Sequence, residues 1–137
     1  MHTKSFFVGW ALLLTLFTGC DKPAGGDDAA KKESTAATAP LIGRWVRPDG
    51  GYILMVNRVE PEGKLGASYF NPNPIRVSAA QASVEGGAVK LFVELRDEGY
   101  PGCTYNLTYD KAKDQLVGVY FQAAQQQSYD IAFERAQ

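Results

Sequence analysis

Val89-Lys90-Leu91-Phe92-Val93-Glu94-Leu95-Arg96 is the stretch whose reading decides the fold. Val89, Leu91, Val93 and Leu95 alternate with Lys90, Glu94 and Arg96, a period of two that sends one set to each face of an extended chain. The alternation recurs downstream. Tyr105, Leu107 and Tyr109 stand against Thr104, Asn106, Thr108 and Asp110, and Tyr129, Ile131 and Phe133 against Ser128, Asp130 and Glu134. Between such runs lie turn formers: Arg47-Pro48-Asp49-Gly50-Gly51, Glu60-Pro61-Glu62-Gly63, Asn71-Pro72-Asn73-Pro74, Glu85-Gly86-Gly87, Asp97 to Gly102, Asp110 to Asp114 and Gln122 to Gln127. Seven breaks leave eight segments rich in β-branched and aromatic residues, the pattern of an all-β sandwich or barrel. Short connections throughout favour a meander, and a meander of eight strands closes into an antiparallel up-and-down barrel that removes its own edges. Ile75 to Val84, with its Ser-Ala-Ala-Gln-Ala-Ser centre, is the weakest strand, and a short helix is its alternative reading.

Upstream of this domain the character changes. Phe6 to Phe17 is an apolar run that follows Lys4 and leads into Thr18-Gly19-Cys20. At about a dozen residues it is shorter than the roughly 20 that a membrane-spanning helix needs, and it fits the apolar centre of a secretory signal. Leu16-Phe17-Thr18-Gly19-Cys20 resembles the lipobox of bacterial lipoproteins, with Phe17 where that pattern usually has leucine. The resemblance implies a signal peptide over 1–19, lipidation of Cys20, and a domain anchored to a membrane of the bacterial cell envelope and facing the periplasm or the exterior. More than one acyl chain on the same residue is what stable anchoring requires. Residues 21–40 contain no aromatic and no Val, Ile, Leu or Met, so they cannot bury enough apolar surface to offset the entropy of ordering. Residues 20–40 therefore read as a flexible linker reaching about 25 Å as a coil, with a helix from Asp27 to Ala37 as the alternative. Residues 41–137 form the β-barrel domain.

The first strand carries Leu41-Ile42-Gly43-Arg44-Trp45, and the last carries Arg135. Gly43-x-Trp45 at the start and an arginine at the end resemble lipocalins and their calycin relatives. That resemblance implies a lipocalin-like barrel in which Gly43, Trp45 and Arg135 latch the first strand to the last. A guanidinium over an indole contributes on the order of 1 kcal/mol.

The chemistry available to the domain is narrow. The only histidine is His2, inside the segment expected to be removed, so imidazole ligands and histidine-dependent nucleophilic catalysis are excluded from the mature chain. Cys103 is then the sole free thiol and reads as a buried residue, with a thiol at the barrel mouth as the sharper alternative. Glu94, Asp97 and Glu98 are charged turn residues beside Arg96, and Asp110 and Asp114 flank two lysines without the ligand density of a calcium loop. A formal net charge of −1 with dispersed charges leaves no basic stripe for nucleic acid. The expectation is a non-enzymatic protein with no metal and no cofactor.

Binding residues are therefore sought among aromatics. Tyr69-Phe70 and Tyr100 stand beside rigid prolines in two loops, while Tyr105, Tyr109 and Tyr129 lie on inward-facing alternations with Cys103. Buried tyrosines give apolar walls and a hydroxyl that seeks a partner. The expected function is a membrane-anchored lipoprotein whose barrel binds a small apolar or amphipathic ligand through these residues. The alternative is a filled barrel that binds or inhibits an envelope protein, as small barrel lipoproteins that inhibit lysozyme do.

Overall fold

The computed structural model describes residues 26–137; the signal segment, Cys20 and the first part of the linker lie outside the described residues. A helix α1, Gly26–Thr38, and a tight helical turn, Ala39–Leu41, lead into nine strands: β1 Gly43–Val46, β2 Ile53–Val59, β3 Leu65–Asn71, β4 Asn73–Ile75, β5 Val77–Glu85, β6 Ala88–Asp97, β7 Tyr100–Asp110, β8 Gln115–Gln122 and β9 Gln127–Arg135. All paired strands are antiparallel, in the order β4-β3-β2-β1-β9-β8-β7-β6-β5. The molecule is an up-and-down barrel whose first and last long strands are joined through β1 and β9.

Eight of these strands fall on the eight segments read from the alternation. The ninth, β4, comes from Asn71-Pro72-Asn73-Pro74-Ile75, read above as a turn: the chain folds back at Pro72 so that Asn73, Pro74 and Ile75 pair with Asn71, Phe70 and Tyr69. Proline cannot donate to a ladder and is tolerated on an edge, which is where β4 lies. Closure is correspondingly incomplete. Between β3 and β5 the seam is spanned by the bridge Lys64–Gln81 and by the Ala82 N–H donating to the Gly63 carbonyl at 2.7 Å. The Ile75 to Val84 segment is strand, and its irregularity is a register shift between Val77 and Ala79.

From Gly26 onward the flexible-linker expectation gives way to its alternative, a helix, and α1 replaces coil. Ala29, Ala30, Lys31, Lys32 and Glu33 are good helix formers, and Asp27 and Asp28 sit in the first turn, where they favour the helix dipole. A helix this short is marginal alone. Lys31 supplies an outside contact, pairing with Glu62 of the β2–β3 loop at 2.9 Å, and Thr38 is buried at the foot of the helix.

The core follows from strand parity. Leu91, Val93 and Leu95 of β6, Cys103, Tyr105 and Leu107 of β7, and Ile131 and Phe133 of β9 all point inward and are buried with Trp45, Leu54, Val56 and Leu116. Trp45, Tyr105, Phe133 and Leu116 are each 0% exposed, so the middle of the barrel is filled by side chains, as a barrel of this strand number allows.

Candidate functional site

The two ends of the barrel differ. At one end Arg135 lies over the Trp45 ring, 4.1 Å from its centroid. It donates from Nη1 to the Ile42 carbonyl at 3.0 Å, from Nη2 to the Pro40 carbonyl at 2.6 Å, and from Nε and Nη2 to Asp114 at 2.6 and 2.9 Å. The Trp45 indole N–H donates to the Leu41 carbonyl at 2.8 Å, and Tyr109 meets the indole edge-on while donating to Asp114 at 2.9 Å. Glycine suits position 43 because its φ is +142°, where L side chains are strained, and a Cβ there would also press on Arg135 Nη1 at 2.6 Å. The β1–β9 ladder pairs only Trp45 with Arg135 and Val46 with Glu134, so this cluster supplies much of what holds the two strands together.

Arg135→Met is accordingly expected to cost about 2 kcal/mol, from the lost cation–π contact and charged hydrogen bonds, read from the urea midpoint. The hydrogen bond from Arg135, foremost, holds the Asp114 carboxylate below its ordinary 3.8. A depressed carboxylate stabilises the fold above its unfolded value and loses that contribution as pH falls below 3.8 through the folded value. The wild-type midpoint should drop with acid in that window more steeply than that of Asp114→Asn. Parallel curves would show the pair to be inert.

At the opposite end, the close of β1, the start of β2, the end of β3, the start of β7, the end of β8 and the start of β9 surround an open recess of about 340 Å³. Tyr52, Tyr69, Tyr100, Tyr105, Tyr120 and Tyr129 form its walls with Asn71 and Gln122, and Arg47 is part of its lining. Strand parity makes this cluster: Tyr105 stands opposite Tyr120 in the β7–β8 ladder, and Tyr120 opposite Tyr129 in the β8–β9 ladder. Tyr105 and Tyr120 stack at 4.6 Å between centroids, and Tyr52 lies nearly parallel to Tyr69 at 6.5 Å.

Arg47 organises the site. Only 7% exposed, it lies 4.6 Å from the Tyr52 centroid, 5.6 Å from that of Tyr120 and 5.9 Å from that of Tyr105. Its Nη1 donates to the Tyr105 hydroxyl at 2.9 Å, which shares a 2.8 Å hydrogen bond with the Tyr69 hydroxyl. Its Nε and Nη2 donate to the two oxygens of Asp49 at 2.9 and 2.5 Å, a bidentate fork. Burial opposes the Arg47 charge, but the bonds to Asp49 and Tyr105 outweigh it and leave the guanidinium above its usual range. Burial first, and then neighbouring hydroxyls, push Tyr69 upward; burial and Cys103 do so for Tyr120. Burial likewise raises Tyr105 against the lowering effect of its Tyr69 bond and of Arg47. The inner part of the recess is therefore a set of neutral phenols, Tyr69, Tyr105 and Tyr120, around one ion-paired cation.

Of the aromatic residues singled out from sequence, Tyr69, Tyr100, Tyr105 and Tyr129 line this recess. Phe70 does not, because it neighbours a buried inward tyrosine and faces the other side of β3. Tyr109 does not either: it belongs to the closed end with Trp45 and Asp114. Cys103 is 0% exposed and lies in the core rather than at the mouth. Sequence reasoning did not single out Arg47, Asn71, Tyr120 or Gln122.

The acidic turn residues meet local partners. Glu94 pairs with Arg96 at 2.6 Å and accepts from Ser78 at 2.7 Å, while Asp97 accepts the backbone N–H groups of Arg76 and Glu98 at 2.8 Å each. A broader depression of about 550 Å³ over β5, β6 and β7 is bordered by Gln81, Ser83, Lys90, Phe92 and Asn106. These residues alternate with the buried Ala82, Leu91 and Leu107, so they belong to the outer face, and no set of like groups converges there. Comparison with family models, with curated proteins and with solved structures finds no match for this chain.

Proposed function

We infer that this is a lipid-anchored envelope protein that binds a small amphipathic molecule in the tyrosine recess at the open end of its barrel. The observation that carries the reading is the recess itself. Its volume lies at the lower end of the range for small-molecule sites, its walls are aromatic, and a few polar groups converge on it from six strands. A filled core beneath it means that the ligand sits in the mouth and not within the barrel, so its body is limited to one or two rings or a short chain. Tyrosine faces take the apolar part, and hydroxyls with Arg47 orient the polar part. Binding without turnover fits the electrostatics of the inner groups, because burial raises Tyr69, Tyr105 and Tyr120 above the ordinary phenol range and Arg47 is held charged, so these four are not poised to exchange a proton at neutral pH. Anchoring rests on the lipobox resemblance at Cys20, with α1 and the residues before it as the spacer between bilayer and barrel.

Native mass spectrometry of the full chain, extracted from membranes of the producing cells, tests both halves. A co-purifying small molecule is expected on the wild type and is expected to fall by at least about tenfold on Tyr52→Ala, which removes one ring of the cage. The Cys20→Ser chain is expected in the soluble fraction. A protein bearing no small molecule but retaining an envelope protein through Tyr52 and Tyr129 would replace this reading with the filled-barrel interaction module.

A further inference from the structure

Arg47 has five N–H donors, of which one goes to Tyr105 and two go to Asp49. One N–H on Nη1 and one on Nη2 are left without an acceptor among the described residues, on a side chain that lines the recess. The partners of this ion pair are unequally placed. The Arg47 side chain is 8% exposed, whereas that of Asp49 is 56% exposed. Asp49 sits in the β1–β2 connection, where Gly51 N–H closes onto the Arg47 carbonyl at 2.8 Å. It can return to water at little cost, because an exposed carboxylate gains little from pairing. Arg47 cannot leave, and a buried guanidinium stripped of its carboxylate is costly.

Resting on the recess reading above, we propose that the recess selects ligands bearing a carboxylate, that Arg47 receives it, and that Asp49 is the chain's own carboxylate, displaced when such a ligand binds. The exchange keeps the charge on Arg47 paired throughout. It trades the contact with a solvent-exposed carboxylate for an equivalent fork, with the ligand's apolar body added against Tyr52 and Tyr120. The preference is for an anion, because Arg47 already occupies the place among the three tyrosine faces that a ligand cation would take. Carboxylate geometry matches the planar fork that Asp49 now fills. The Asp49 loop thus acts as an internal competitor that sets a threshold on affinity.

The test uses the full chain with phenylacetate and its neutral isostere phenylacetamide as probes, followed through the ring resonances of Tyr52 and Tyr120 by NMR. Phenylacetate is expected to bind at least about tenfold more tightly than the amide. Asp49→Asn, which keeps one oxygen acceptor for Arg47 but weakens the internal competitor, is expected to raise the preference for phenylacetate over the amide severalfold. Arg47→Lys keeps the charge but loses the fork, and is expected to erase most of the preference. Equal binding of both probes at Tyr52 and Tyr120, with no effect of Asp49→Asn, would overturn the carboxylate assignment and leave the recess reading standing. Tighter binding of phenyl phosphate than of phenylacetate would also overturn it, in favour of a phosphate-bearing ligand. Failure of every probe to move either ring would remove both the assignment and the recess reading.

Discussion

Replacing Trp45 with alanine is expected to remove about 4 kcal/mol of stability, seen as a lower urea midpoint with an unchanged slope. The indole is 0% exposed and fills the closed end between Arg135 on one face and Tyr109 at its edge. Its removal opens a cavity that neither neighbour can fill, because Arg135 is tied to two carbonyls and to Asp114. It also leaves the Leu41 carbonyl without its indole donor. Trp45→Phe separates the two losses: most of the ring volume remains, so about 1–2 kcal/mol is expected for the missing N–H and the smaller face. A loss below about 1 kcal/mol for Trp45→Ala would mean that the short β1–β9 ladder holds without this cluster.

The residues that were legible from sequence are those whose pattern is regular over a whole strand. Val89 to Leu95 and Tyr105 to Tyr109 gave both the strands and the inward faces, because one buried face with one wet face forces period two. Parity also explains where that reading fell short. Tyr69 and Phe70 are successive residues, so only one can enter the recess. Tyr105 and Tyr109 share a face but stand about 13 Å apart along the strand, enough to put one at the mouth and the other at the closed end. Tyr120 was overlooked because Leu116-Val117-Gly118-Val119-Tyr120-Phe121 is apolar on both faces and shows no alternation. Arg47 was hidden inside a turn signature, Arg-Pro-Asp-Gly-Gly, although an arginine two positions before an aspartate in a tight connection is itself a cue for a local fork. The helix α1 stood only as the alternative to coil for a different reason: its composition offers propensity and charge but no strong apolar face, and the contact through Lys31 and Glu62 is invisible along the chain.

Gly118→Ala is expected to destabilise the barrel by about 2–3 kcal/mol, opposite in sign to the usual gain of about 0.4–1 kcal/mol when glycine becomes alanine at a position whose backbone accepts it. Gly118 lies in mid-strand between Leu107 and Ile131, in the inward row of β8. A Cβ there would stand 2.0 Å from the Asn106 carbonyl oxygen and 2.9 Å from the Leu107 Cα. Both are backbone atoms of the adjacent strand, so no rotamer change relieves the contact and β7 and β8 must part. A glycine inside a strand marks such a close approach, and a small barrel needs it where the sheet curls most sharply. The damage should run outward from the opened ladder to Tyr105 and Tyr120, which pair two residues further along the same two strands and stack in the recess. Gly118→Ala should therefore raise amide exchange along β7 and β8 and weaken binding at the recess, although it touches no residue of that site. Unchanged stability with unchanged exchange would mean that the two strands can separate there freely, and the dependence of the recess on strand spacing would fall with it.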